Sequence, residues 1–394
     1  MFEKLQAMPA DAILKLIAEY ASDGRADKID LGVGVYRDES GATPVLQTVK
    51  KAERFLLETQ DSKSYLGSGG SPAFNAAITD LIFGAGASNN PRITTLQTPG
   101  GSGSLRVAAG VVKRASPDAV ILAGEPTWAN HVPLLSSAGI DMQTFPFYDG
   151  KSHRIDFDRM LSAVEQAPAG SVLLLHGCCH NPTGMDLSDE QWRAMTDVVV
   201  RRSVVPFIDI AYQGFATGLD EDAYGVRHML EVVPEMIVSG SCSKNFALYR
   251  DRVGSLSFVA RDEATAQVLR SQANNIVRTM YSMPPDHGAA TVSHILADPA
   301  LRQEWQRELD GMRQRLGDMR ALLGAALRDK APAADFSHIE RANGMFCFLG
   351  VTPEQVKKLK SDFGVYMVGS SRINVAGITS GNVGHLADSI AAVI

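Results

Sequence analysis

Met236-Ile237-Val238-Ser239-Gly240-Ser241-Cys242-Ser243-Lys244-Asn245-Phe246 leaves an apolar, strand-like run and enters a turn of small hydroxylic residues around a lysine, with Arg252 eight residues on. An ammonium held inside a cleft by such a turn loses hydration, its pKa falls and its amine becomes nucleophilic. That chemistry points to a Schiff base. Taken alone, Lys244 has a plainer reading as a solvated loop lysine. Its neighbours in the chain decide between the two.

Outward from this stretch, between about Ile93 and Val259, short runs rich in Val, Ile and Leu alternate with longer amphipathic or Ala-rich segments. The runs Ile93 to Gln97, Ala119 to Ala123, Met142 to Phe147, Val172 to His176, Val205 to Asp209, Met236 to Ser239 and Ser255 to Val259 read as strands. Ser104 to Ala115 and Ser188 to Arg202 read as helices. Such a rhythm predicts an α/β fold with a mostly parallel sheet covered on both faces and ligands at the carboxyl ends of its strands. After Pro299 a long charged helix, Leu301 to Arg328, and strand-like Gly344 to Leu349 and Arg372 to Ala376 suggest a smaller α+β lobe. Residues 30–39 precede the sheet and either join that lobe or line the cleft.

The chain has 394 residues, 45% hydrophobic and 21% charged, enough for a large core and two lobes. A net charge of -6 and scattered Lys and Arg argue against nucleic acid. The four cysteines, Cys178, Cys179, Cys242 and Cys347, lack paired metal spacing, and no metal is expected. Reduced thiols, a start (Met1-Phe2-Glu3-Lys4) without the apolar core of a signal peptide and no run long enough to span a membrane lead to a cytoplasmic expectation.

The predicted strand exits carry a consistent inventory. Gly100-Gly101-Ser102-Gly103, ahead of a helix expected from Ser104, offers backbone N–H groups and a helix dipole to a phosphate. Asn181-Pro182-Thr183-Gly184 and Asp209-Ile210-Ala211-Tyr212 follow two further strands. An Asp there can pair with a buried cationic ring nitrogen; an Asn and a Tyr can bond a phenolate oxygen. Singly, Asn-Pro-Thr-Gly is a good turn and Asp209 a helix cap. Collectively they match what pyridoxal phosphate asks of a protein: an amine, an acid, phenolate donors and an anion cradle.

These stretches, with Tyr212-Gln213-Gly214-Phe215, Ser239 to Arg252 and Arg372-Ile373-Asn374-Val375-Ala376-Gly377, resemble the fold-type I, class I aminotransferases of the aspartate and aromatic amino acid group, nearly end to end. The resemblance implies an N-terminal arm over residues 1–10, a small domain of residues 11–43 and 312–394, and a large pyridoxal 5'-phosphate domain of residues 44–311. It makes Lys244 the cofactor lysine and proton carrier, Asp209 the partner of the pyridine nitrogen, and Tyr212 and Asn181 the phenolate donors. Trp128 would stack on the ring; Gly101, Ser102, Ser241 and Arg252 would bind the phosphate, with Tyr65 reaching the phosphate of a neighbouring subunit in a homodimer. His131 and His176 match positions near Asp209, or are satisfied core histidines. Arg372 would clamp the substrate α-carboxylate beside Gly34, Trp128 and Asn181, and Arg278 would reach a distal carboxylate from the partner subunit.

Against the aspartate-specialised pattern, Ser102 stands for Thr, Met283 for Asn and Ser64 for the Asn that often precedes the tyrosine; Glu125 stands where the family as a whole more often has Asp or Asn. A Met offers a soft apolar surface that adapts to a ring. The expectation is therefore an aromatic-amino-acid transaminase, with 2-oxoglutarate as acceptor and aspartate or glutamate also used. Aspartate aminotransferase with minor aromatic activity, a lyase using the same cofactor and a nucleotide-binding module are the alternatives.

Overall fold

A computed structural model describes residues 1–8 and 11–394. The arm expected over residues 1–10 includes Pro9 and Ala10, which lie outside the described residues.

Seven strands form the central sheet: β1 (Ile93–Pro99), β2 (Val120–Glu125), β3 (Asp141–Pro146), β4 (Val172–His176), β5 (Val205–Ile210), β6 (Met236–Ser241) and β7 (Val253–Val259). Their order is β1-β7-β6-β5-β4-β2-β3, with β7 antiparallel to both neighbours and the remaining pairings parallel. Both faces of the inner strands β4, β5 and β6 are covered, which is why they read as largely apolar runs, whereas the edge strand β3 is mostly exposed. Leu173, Leu175, Ile208 and Val238 join the core on one face, and Val172, Leu174, Phe207 and Ile237 the core on the other. Each such side chain contributes about 1.5–3 kcal/mol by leaving water.

The reversal of β7 shapes the edge of the sheet. An antiparallel partner lets the chain turn back at the carboxyl end of β6, so the turn carrying Lys244 and Arg252 stays at that edge instead of crossing a face. Val253 pairs with Pro99, which sets Arg252 beside the start of the helix after β1.

Helix α1 spans Ala12–Ser22 and α2 spans Gly100–Ala115. The latter begins four residues before the Ser104 expected from its glycines. Glycine disfavours a helix interior, but the first-turn N–H groups need no internal acceptor, and the buried Val107, Ala108 and Val111 further along hold the helix on the sheet. The Gly-rich stretch is thus the first turn of α2, with its free N–H groups at the strand ends.

Helix α3 covers Glu263–Met280 and α4 covers Pro299–Lys330, the latter capped by Asp298. Strands β8 (Phe346–Phe348) and β9 (Arg372–Asn374) pair antiparallel, with Phe348 opposite Arg372. Ile29–Asp30 pairs parallel with Val365–Tyr366, and Asn374 Nδ2 donates to the carbonyls of Val33 and Val35 at 2.6 and 2.8 Å. Residues 30–39 therefore both join the C-terminal elements and, through Gly34, line the cleft. No helix among the described residues is long and apolar enough to cross a membrane, and the four cysteines are buried and unbridged.

Candidate active site

At the carboxyl edge of the sheet lies a cavity of about 290 Å³. Its walls bring together Gly34, Gly101, Ser102, Trp128, Asn181, Asp209, Tyr212, Ser241, Lys244, Arg252 and Arg372, which are far apart in sequence. Strand register does much of this. His176, Asp209 and Ser239 are direct neighbours across β4, β5 and β6, so three strand exits open on one place.

Asp209 lies within β5, which removes its reading as a helix cap. Its Oδ2 is 3.0 Å from His131 Nε2, and its Oδ1 is buried with no partner. Burial alone would favour the neutral acid; the His131 hydrogen bond and the nearby charge of Lys244 outweigh it and hold the carboxyl below its ordinary range. Behind His131, Thr127 Oγ1 lies 2.8 Å from His131 Nδ1 and 3.0 Å from His176 Nε2. His131 is thus joined to Asp209 directly, and His176 through the Thr127 hydroxyl and then His131. Trp128 meets the edge of the His131 ring at 5.2 Å.

Lys244 keeps part of its surface open to the cavity. Burial lowers its pKa to about 8, against the pull of Asp209 and with the push of Arg252. Its Nζ lies 4.6 Å from the Tyr212 ring centroid. Burial raises the Tyr212 hydroxyl well above its ordinary value, so that group remains a protonated donor.

A further part of the lining carries the cation Arg252 beside a helix start. Gly101 and Ser102 are in the first turn of α2, with Ser241 and Ser243 facing them and Arg252 alongside. Arg252 Nη1 donates to the Tyr249 carbonyl at 2.9 Å and to Ser243 Oγ at 3.4 Å, and no carboxylate pairs with it among the described residues. Gly100 has φ +71, and a Cβ there would run into the Arg252 guanidinium. The close approach of helix start and guanidinium requires glycine.

Arg372, on β9, donates to Asn181 Oδ1 at 3.2 Å and to the Gly32 carbonyl at 2.9 Å. Its guanidinium carbon sits 4.3 Å over the Phe346 ring, and its Nε is buried without a partner. This cation faces the cavity with spare donors. A family model for class I and II aminotransferases matches residues 26–390.

The chain belongs to that family. The aminotransferase is 46% identical to an aspartate aminotransferase of Escherichia coli over 396 residues, covering 100% of both chains. It is 44% identical over 394 residues to an aromatic-amino-acid aminotransferase of Pseudomonas aeruginosa, covering 100% of this chain and 98% of that one. Among solved structures, the Burkholderia pseudomallei aromatic-amino-acid aminotransferase covalently bound to pyridoxal phosphate superposes with a TM-score of 0.97 at 39% identity, covering 100% and 99% of the two chains.

Two expected residues of the aminotransferase stand apart from the cavity within one chain. Tyr65 is 93% exposed, and Arg278, at the end of α3, is exposed and donates to Ser282 Oγ. Met283 is also outside the cavity lining. Conversely, Ile13, Ser243, Tyr249 and Phe346 line it although no motif assigned them there. Ser243 and Tyr249 lie inside the Lys244–Arg252 stretch or beside it; Ile13 and Phe346 carry no local signal. The structure also gathers Cys178, Cys179 and Asp222 within 4.8 Å, a grouping invisible in spacing. Asp222 is already engaged there by the backbone N–H groups of Gly214, Ala216, Thr217 and Gly218.

Proposed function

We propose that this aminotransferase holds pyridoxal 5'-phosphate on Lys244 and moves the amino group of tyrosine, phenylalanine and tryptophan to 2-oxoglutarate, while also accepting aspartate and glutamate. One observation carries the reading: a lysine amine with pKa about 8 shares a cavity with an ionised carboxylate whose Oδ1 is buried and unpartnered. The residues fit the cofactor. The orphan Oδ1 of Asp209 wants a cationic N–H, and the first turn of α2 with Arg252 and three serines wants a phosphate.

When bound, the cofactor supplies an aldehyde for amines and a ring that takes up the electron pair left when Cα loses its proton. This chain's residues do the rest. Asp209, kept ionised, stabilises positive charge at the cavity floor, and His131 fixes its orientation. Lys244, whose amine burial makes easier to deprotonate than an ordinary lysine, accepts the Cα proton at Nζ and returns it elsewhere. Tyr212 and Asn181 donate hydrogen bonds from the cavity side. Trp128 covers one wall, and Arg372 orients the α-carboxylate with its free donors beside Gly34.

The proposal includes a cytoplasmic homodimer, in which exposed Tyr65 and Arg278 complete the neighbour's cavity. It also takes residues 11–43 and 312–394 as a small domain and 44–311 as the large one, since the seven-stranded sheet falls wholly within the latter. Apolar walls from Ile13, Leu105 and Phe346 support aromatic side chains. The 46% identity to an aspartate aminotransferase favours a second reading, aspartate transamination with only minor aromatic activity. Measuring kcat/KM for aspartate, tyrosine and phenylalanine with 2-oxoglutarate decides between them. Aromatic values within about tenfold of aspartate support the first reading, and a gap beyond about a hundredfold supports the second.

A further inference from the structure

Arg320, on α4, is a permanent charge only 4% exposed, and it pairs with no carboxylate among the described residues. Its guanidinium is satisfied by carbonyls: Nη1 donates to Ile339 at 3.1 Å, and Nη2 to Asn343, Gly344 and Phe346 at 3.1, 2.7 and 3.0 Å. A buried cation held this way pins backbone, because each carbonyl that moves leaves part of a charge without a partner. The pinned backbone is residues 339–346.

Two groups leave that segment toward the site. Asn343 donates its backbone N–H to the Gly184 carbonyl at 2.7 Å and its Nδ2 to Asp186 Oδ2 at 3.0 Å, fixing the turn that begins at Asn181. Phe346 lays its ring under the Arg372 guanidinium at 4.3 Å and presents it to the Tyr212 ring at 6.2 Å. Asn181 and Phe346 are two side chains that contact Arg372. Both are therefore set from behind by one guanidinium.

We infer that Arg320 is a positioning residue for the carboxylate-binding arginine: it holds the segment that orients Arg372, and so governs how tightly the α-carboxylate of amino and oxo acids is bound. The inference rests on the proposed role of Arg372. Lysine cannot replace Arg320, because a point charge on a narrower head cannot reproduce the planar fork that spans four carbonyls.

The test uses the full-length holoenzyme with Arg320→Lys and Arg320→Met. The expected result is a rise of about tenfold in KM, shared by aspartate and phenylalanine because both carry the α-carboxylate, with a smaller change in kcat, unchanged pyridoxal phosphate affinity and no rescue by lysine. Unchanged KM in a folded variant overturns it. So does a parallel fall of kcat, carboxylate affinity and cofactor affinity that tracks the thermal midpoint, which marks a purely structural role. If neither variant folds, Asn343→Ala removes the Nδ2 bond to Asp186 while keeping the backbone bond to Gly184, and a smaller KM rise shared by aspartate and phenylalanine is expected or the inference fails. A wild-type chain without transaminase activity sinks the functional reading instead. The pinning of residues 339–346 is then read by amide hydrogen exchange in Arg320→Lys: faster exchange over residues 339–346 and 181–184 supports it, and unchanged exchange overturns it.

Discussion

His131 Nε2 lies 3.0 Å from Asp209 Oδ2, while Asp209 Oδ1 is buried with nothing to bond. One oxygen is engaged in holding the carboxylate in place, and under the proposed function the other is the one that meets the ligand. His131→Ala removes the first of these, so burial regains ground and the Asp209 carboxyl rises. A hydrogen bond to a charged group is worth about 1.5–3 kcal/mol, so kcat should fall roughly 10- to 100-fold. Asp209→Asn, which removes the charge itself, should cost more than His131→Ala. Steady-state kinetics of the two variants check the order.

Lys244 titrates at about 8 in the cofactor-free chain because burial outweighs Asp209. The rate at which an amine-directed reagent modifies it should therefore reach half its maximum near pH 8, well below an ordinary lysine. Asp209→Asn removes the charge that raises this pKa and should move the midpoint down. Arg252→Met removes a charge that lowers it and should move the midpoint up. Peptide mapping across roughly pH 6 to 11 gives both signs.

Arg372 and Arg278 should separate cleanly. Arg372→Lys loses the planar fork for a group every substrate carries, and kcat/KM should drop about a hundredfold or more for aspartate and phenylalanine alike. Arg278→Ala should drop aspartate turnover by a similar factor and leave phenylalanine turnover within a few fold, since an aromatic ring has no carboxylate to offer it. Equal losses for both substrates in Arg278→Ala would contradict the dual use of the site.

Stability should also depend on buried histidines. His338, stacked on His153 at 3.7 Å, is depressed to about 4 by burial and by the His153 charge, and His176 to about 3 by burial and by His131. Below the unfolded value near 6.5 the unfolded chain takes up protons that these rings refuse. Their contribution is thus fully present above about pH 6.5 and is lost as pH falls toward about 4 for His338 and about 3 for His176. His338→Gln should flatten the decline in unfolding free energy, read from urea titrations, between about pH 7 and pH 5 by an amount on the order of 1–2 kcal/mol.

The sheet was legible because its inner strands are buried on both faces, so that Val172 to His176 announces itself without reference to partners. The Lys244 turn was legible for a chemical reason, a lysine among small residues after a strand. The start of α2 departs from the expected Ser104 because glycine propensity speaks for isolated helices, whereas packing of Val107 and Val111 decides the boundary. Phe346 and Arg320 fall in segments legible as strand and helix, but their place at the site gives no signal. Their roles arise from contacts to Arg372 and to backbone carbonyls that only the folded chain creates. Tyr65 and Arg278 rest on family resemblance, and within one chain they stand outside the cavity.

The most direct test is where the cofactor attaches. The purified protein is saturated with pyridoxal phosphate, reduced with borohydride, digested and mapped by mass spectrometry. One pyridoxyl group per chain on Lys244, absent from Lys244→Ala, is the predicted result. A chain that takes up no label, or carries it on another lysine, would contradict the assignment of the chemistry to Lys244.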